Sequence, residues 1–189
     1  MTNCLFNTTV LPTVTVQPSL YIRGMVWTVR ERRKTVKHTN MTLRTYQETI
    51  SNAAESLRTC YTAYLAMEVR TGKTFTALAA VGKYEAASVL FVTKKNALPS
   101  IEADYGTLSP AYALTAVNFE SLHKVTGTYD LVIIDEAHSV GAAFPKPSKK
   151  AQELKRICQG LPIVYLSGTP SPESYSQMYH QLYASSRSP

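Results

Sequence analysis

No apolar run in this 189-residue chain approaches the ~18 residues that would cross a bilayer, so a membrane-embedded role is not expected. The opening stretch Met1-Thr-Asn-Cys-Leu-Phe-Asn-Thr-Thr-Val10 has neither a basic segment nor an unbroken apolar core, and does not read as a secretory signal. Cysteine is scarce: Cys4, Cys60 and Cys158 are odd in number and form no C-x-x-C pair. That argues against a disulfide scaffold or a zinc module and fits a reduced, cytoplasmic protein. Internal repeats and low-complexity tracts are also missing. At 44% hydrophobic and 17% charged residues the composition is that of a globular chain, which excludes a disordered one. The length suits one domain with a short appendage.

What is present is unevenly placed. The formal charge is +7, and residues 1–40 hold Arg23, Arg30, Arg32, Arg33, Lys34 and Lys37 against Glu31 alone, a net of +5. The other 149 residues carry a net of only +2. Such asymmetry points to a polyanionic partner, nucleic acid being the commonest; a solvated positive face is the plainer alternative. Within 8–36, Thr/Val alternation favours strands, which Pro12 and Pro18 restrict to short or edge pieces.

After Asn40 the pattern changes. Tyr46, Ile50, Ala53, Ala54 and Leu57 fall on one helical stripe. Strand-length apolar runs follow at 61–66, 89–92, 112–117, 131–134 and 163–166. Helical spacing occupies 74–81, 97–103 and 149–158, and Tyr175, Met178, Tyr179 and Leu182 mark a last helix. The run Leu131-Val-Ile-Ile134 is apolar at every position, as a strand covered on both faces must be. Strand–helix alternation of this kind predicts an α/β domain with a mostly parallel sheet flanked by helices, whose ligands sit at the carboxyl ends of the strands.

Two segments carry chemistry. Met67-Glu-Val-Arg-Thr-Gly-Lys-Thr74 follows a strand and opens a helix. Backbone N–H groups of such a loop converge on phosphate, with Lys73 reaching the outer phosphates and Thr74 placed to ligate Mg²⁺. Met67 stands where the usual pattern has its first glycine. A bare G-K-[ST] arises by chance in roughly one chain in ten of this length, so position matters more than the string. The second segment, Leu131-Val-Ile-Ile-Asp-Glu-Ala-His138, sets two carboxylates just beyond a buried strand. In phosphoryl transfer one carboxylate holds the metal and another orients the attacking water, roles that suit Asp135 and Glu136.

From Thr42 to about Ala184 the chain resembles the N-terminal RecA-like, P-loop lobe of superfamily-two helicases and translocases, nearest to Swi/Snf-type translocases and phage DEAH-box relatives. Six blocks stand in the family's order. Leu43-Arg-Thr-Tyr-Gln47 resembles the Q-type motif, which implies that Gln47, with Arg44, holds the nucleotide's adenine end. Glu68-Val-Arg-Thr-Gly-Lys-Thr74 resembles the family's P-loop, which often lacks the first glycine; Arg70 stands where the family commonly has Gly, and Arg70, Thr71, Gly72, Lys73 and Thr74 are the implied nucleotide contacts. Val89-Leu-Phe-Val-Thr-Lys-Lys-Asn-Ala-Leu98 and Val117-Asn-Phe-Glu-Ser-Leu122 resemble blocks on the nucleic-acid side, which implicates Lys94, Lys95 and Asn118. Asp135-Glu-Ala-His138 matches motif II. Ser167-Gly-Thr-Pro170 resembles motif III, so His138, Ser167, Gly168 and Thr169 are the expected couplers of nucleotide state to nucleic-acid grip.

The resemblance implies ATP and Mg²⁺ as cofactors, Lys73 and Glu136 as catalytic residues, and nucleic acid, DNA favoured, as partner. It also implies a second RecA-like lobe, in a longer chain or a partner subunit, because that lobe brings the arginines worth ~10³–10⁵ in turnover. The expected organisation is a β-rich basic extension at 1–40, the ATP-binding lobe at 41–184 and the start of an interlobe linker at 185–189, in a bacterial or phage-infected cell. The alternative is a one-lobed ATP switch or nucleic-acid adaptor that does not hydrolyse.

Overall fold

The computed structural model describes residues 46–68, 70–140 and 146–169, with 27–28, 179, 181, 182 and 184. Five strands form its centre: β2 (Thr62–Ala66), β3 (Ser88–Thr93), β4 (Ala113–Asn118), β5 (Leu131–Ile134) and β6 (Ile163–Ser167). All pairings are parallel, and the order is β2-β6-β5-β3-β4. A two-residue strand, β1 (Trp27–Thr28), adds to the free edge of β2, also parallel. It is the one described piece of the basic extension, and there it continues the sheet.

The apolar runs explain this arrangement. β5 and β6 are buried at every position and β3 at all but its first, whereas β4, at the edge, alternates exposed and half-buried residues. Because side chains alternate across a strand, each run feeds two cores. Leu65, Val89, Phe91, Leu131, Ile133 and Val164 face one core, closed by α1 (Gln47–Cys60), α2 (Lys73–Tyr84) and α3 (Leu98–Leu108). Tyr64, Leu90, Val92, Val132, Ile134 and Tyr165 face the other, closed by α4 (Lys149–Cys158) and by the 3-10 turns Phe119–Lys124 and Ala137–Val140. The predicted stripe Ile50, Ala53, Leu57 lies against the first core, and Tyr46 packs there too.

Local chemistry sets the boundaries. Ser148 caps α4 by accepting the Ala151 N–H at 3.1 Å, so this helix starts where its sequence pattern does. At the amino end of the sheet, Asp130 Oδ2 accepts the N–H groups of Ala87 and Ser88 at 3.1 and 2.8 Å, which fixes β3 against β5. Cys158 is fully buried and its thiol is pushed up to about 12 by burial, so it stays protonated and packs as a small apolar group. Of the last predicted helix, residues 179, 181 and 182 are helical; Tyr175 and Met178 lie outside the described residues. No helix of the described residues is long and apolar enough to cross a membrane.

Candidate functional site

The phosphate-loop candidate sits where β2 hands over to α2. The ladder runs one residue past β2, Met67 N–H donating to the Ser167 carbonyl at 3.2 Å. Thr71 Oγ1 then donates to the Glu68 carbonyl at 2.6 Å and closes the turn. Two residues of the loop take left-handed conformations, Arg70 at φ 64 and Gly72 at φ 81. Glycine adopts that angle freely; Arg70 takes it with its Cβ in place. α2 begins at Lys73 with Thr76 N–H donating to the Gly72 carbonyl at 2.9 Å. No side chain caps this helix and no acidic residue stands in its first turn. Its opening N–H groups and roughly +0.5 of helix-dipole charge are therefore left for an anion. Lys73 and Thr74 are half-buried at this mouth, and Arg70 is exposed.

One residue beyond β5, Asp135 is 8% exposed. Its Oδ2 accepts from Thr93 Oγ1 at 2.7 Å and its Oδ1 from the Glu136 N–H at 2.9 Å, while its own N–H donates to the Val92 carbonyl at 2.8 Å. Burial raises the carboxyl above the usual range; the Thr93 bond opposes this, the Glu136 charge adds to it, and the Glu136 N–H and the Lys73 charge counter it. β6 separates β2 from β5, and at ~4.8 Å per strand the two carboxyl ends lie about 10 Å apart. That is room for a phosphate chain between Lys73 and Asp135. Among the described residues no three His, Cys, Asp or Glu gather to hold a metal, so a divalent ion here would need phosphate oxygens to complete its shell.

Glu136 also takes a left-handed angle, φ 49, in a turn closed by Ser139 N–H on its carbonyl at 2.8 Å. Its Oε2 stands 3.2 Å from His138 Nδ1, which is 3.1 Å from Ser167 Oγ. Ser167 is fully buried and accepts the Thr169 N–H at 3.2 Å. Tyr64 donates to Gln181 Oε1 at 2.6 Å, and burial pushes its hydroxyl well above the usual tyrosine range. The motif II and motif III candidates thus meet through His138 and Ser167. Gly168 is half-buried and Thr169 exposed beside them.

The outer strands end differently. Lys94 and Lys95 follow β3 and are exposed; Asn118 ends β4, in register with Thr93. Lys94, Lys95, Asn96, Asn118 and Glu120 line a groove of about 390 Å³. Asn118 occupies the cap position of the turn Phe119–Lys124 but makes no cap bond, and its Oδ1 is buried without a partner. Lys150 Nζ is 3.5 Å from Glu120 and 5.5 Å from the Phe119 ring centre. Gln47 opens α1, and Arg44 lies outside the described residues.

The sequence pattern does not single out Thr93, Tyr64 or Gln181. Thr93 was legible as a polar residue closing an apolar run beside the carboxylate strand. Tyr64 reads as one more core aromatic, and nothing in the string ties Gln181 to it. The chain matches no protein-family model and no curated protein.

Proposed function

We propose that this chain is the nucleotide-binding lobe of a nucleic-acid-dependent ATPase of the helicase or translocase type. The observation that carries the reading is the convergence, on one carboxyl edge of a parallel sheet, of an uncapped helix N-terminus with Lys73 and a buried Asp135 two strands away. A lysine and a dipole facing a sequestered carboxylate suit a magnesium nucleotide: phosphates are held by Thr71, Gly72, Lys73 and Thr74 with Arg70 at the rim, and Asp135 and Thr74 are the residues that would hold Mg²⁺. Bound there, Mg²⁺ neutralises charge on the phosphates. Thr93 keeps one Asp135 oxygen aimed, and Glu136, one residue on, orients the water that attacks the terminal phosphorus. Gln47 and Arg44 take the adenine end on resemblance alone. A second lobe supplies the arginines for full turnover.

The groove at Lys94, Lys95 and Asn118 supports a nucleic-acid backbone track, duplex DNA by analogy with Swi/Snf translocases. Asn118 Oδ1, buried beside the groove without a partner, would suit a bridging water.

The test is ATP turnover by this chain with and without duplex DNA, Lys73→Ala and Glu136→Gln alongside. DNA-stimulated turnover lost in both variants is the expected result when another lobe or copy completes the site. Nucleotide binding without turnover means half a motor, whose turnover waits on the second lobe. No affinity for ATP or ADP up to millimolar concentration, Mg²⁺ present, overturns both.

A further inference from the structure

The groove at the ends of β3 and β4 contains its own contradiction. Of the five residues that line it, Lys94 and Lys95 suit a polyanion, and Glu120, the only carboxylate among them, opposes one. Neither lysine has an ion-pair partner among the described residues. Glu120 is paired with a cation from outside the lining instead: its Oε1 stands 3.5 Å from Lys150 Nζ. The same ammonium lies over the Phe119 ring, 5.5 Å from its centre, within reach of the attraction between a cation and a ring face. Packing sets this meeting. Phe119 and Leu122 are 4% and 1% exposed and anchor the turn that carries Glu120, while Ala151, next to Lys150, is fully buried and anchors the start of α4. Helix stability does not account for the lysine. Lys149 and Lys150 open α4, where the dipole favours an acidic residue and none is present.

We propose that Lys150 is a further contact to the backbone of duplex DNA, held at the groove by Glu120 until a phosphate replaces that carboxylate. The proposal rests on the reading of this groove as a backbone track. The side chains of Lys150 and Glu120 are 43% and 65% exposed, so the pair is open to water and to an arriving anion, and a pair so exposed holds weakly. In the empty groove Glu120 occupies Lys150 and leaves Lys94 and Lys95 unpaired. When the backbone enters, the Lys150 ammonium exchanges one oxyanion for another, and its contact adds to those of Lys94 and Lys95 in releasing counterions from the DNA. Glu120, left beside phosphates, then costs affinity. It is a restraint on binding, and Lys150 is the cation that answers it.

The experiment is fluorescence anisotropy of a labelled duplex DNA titrated with the full chain over a salt series, thermal melting confirming that each variant folds. Lys150→Gln, which keeps a stem over Phe119, is expected to lower the slope of log affinity against log salt by ~0.9, and Lys150→Arg to retain it. Glu120→Gln is expected to tighten binding by about two- to fivefold, the worth of an exposed ion pair, with the slope unchanged. The deciding comparison is made without the carboxylate: Lys150→Gln in the Glu120→Gln background still lowers the slope by ~0.9 if the ammonium meets phosphate. Equal slopes for Glu120→Gln and Glu120→Gln/Lys150→Gln would mean that Lys150 serves only to neutralise Glu120, and would overturn the proposal. Weaker binding by Glu120→Gln would overturn it as well. Lys94→Ala and Lys95→Ala separate the two readings. If they lower the slope and Lys150→Gln does not, this inference falls and the track stands; if neither they nor Lys150→Gln lower it, the track itself falls.

Discussion

The carboxyl edge of this sheet ends in two contrasting ways. At β2, β6 and β5 buried polar groups hold one another: Asp135 bonds Thr93 and a backbone N–H, and Ser167 bonds His138 and the Thr169 N–H, while Ser139 Oγ beside them is buried without a partner. At β3 and β4 the same edge presents exposed lysines along an open groove. Buried networks admit one geometry and cost free energy when broken; exposed lysines on flexible stems fit a charge that shifts along a groove. One sheet edge thus joins a rigid half suited to chemistry with an adaptable half suited to a polyanion.

The largest effects belong to the rigid half. Lys73→Ala is expected to weaken ATP binding by about 10²- to 10⁴-fold, the loss of one or two hydrogen bonds from a charged donor. Glu136→Gln is expected to reduce kcat by about 10²- to 10⁴-fold while leaving ATP affinity within about twofold, since the amide keeps the shape and loses the basicity. Titration calorimetry beside steady-state turnover separates the two; equal losses of binding in both variants would break the division of roles.

The adaptable half should respond by increments. Lys94→Ala and Lys95→Ala each lower the slope of log affinity for duplex DNA against log salt by ~0.9, with ATP affinity in the absence of DNA unchanged. Fluorescence anisotropy over a salt series measures this. A slope unaltered in the double variant would mean that the groove is no backbone track, and the comparison would lose its second term.

A finer effect follows from Asp135. Burial places its folded carboxyl above its unfolded value, so the folded chain binds that proton more tightly. The resulting stability is complete below the unfolded carboxyl range and is lost as pH rises through the folded value. The unliganded chain should therefore lose Tm across that window, and magnesium nucleotide, which prefers the carboxylate, should bind more tightly over the same window. In Asp135→Asn both pH slopes flatten. Differential scanning fluorimetry across the acid range reads the first slope, and a steeper decline in the variant would contradict the burial argument.

Much of the frame was legible because the signals are local. Strand β5 announces itself in four consecutive apolar residues, α4 in its helical spacing, and the phosphate loop in glycine, lysine and threonine between a strand and a helix. Strand order was not legible. That β6 slips between β2 and β5, and so sets the span between Lys73 and Asp135, follows from packing among segments some hundred residues apart. The Tyr64–Gln181 bond spans 117 residues and involves types that look like core and surface respectively. Backbone strain was hidden too: Arg70 and Glu136 are not residues from which a left-handed angle is expected.

That strain supplies the smallest test and the one that probes the rigid half from within. Left-handed backbone costs a residue with a Cβ about 1–2 kcal/mol, and glycine gives back about 0.5–1 kcal/mol through the freedom of its unfolded chain. Arg70→Gly should thus stabilise the fold by about 0.5–1 kcal/mol, a rise in Tm of roughly 1–4 °C for a chain of this size. ATP affinity should move the other way, because an exposed guanidinium at the mouth of the phosphate loop is removed. Arg70→Asn, which tolerates the angle and lacks the charge, should lose affinity to the same degree with a smaller gain in Tm. Opposed shifts in the two measurements would mean that the chain retains a strained arginine for its charge. A rise in Tm with affinity unchanged would mean that the loop backbone and Lys73 hold the phosphates without it.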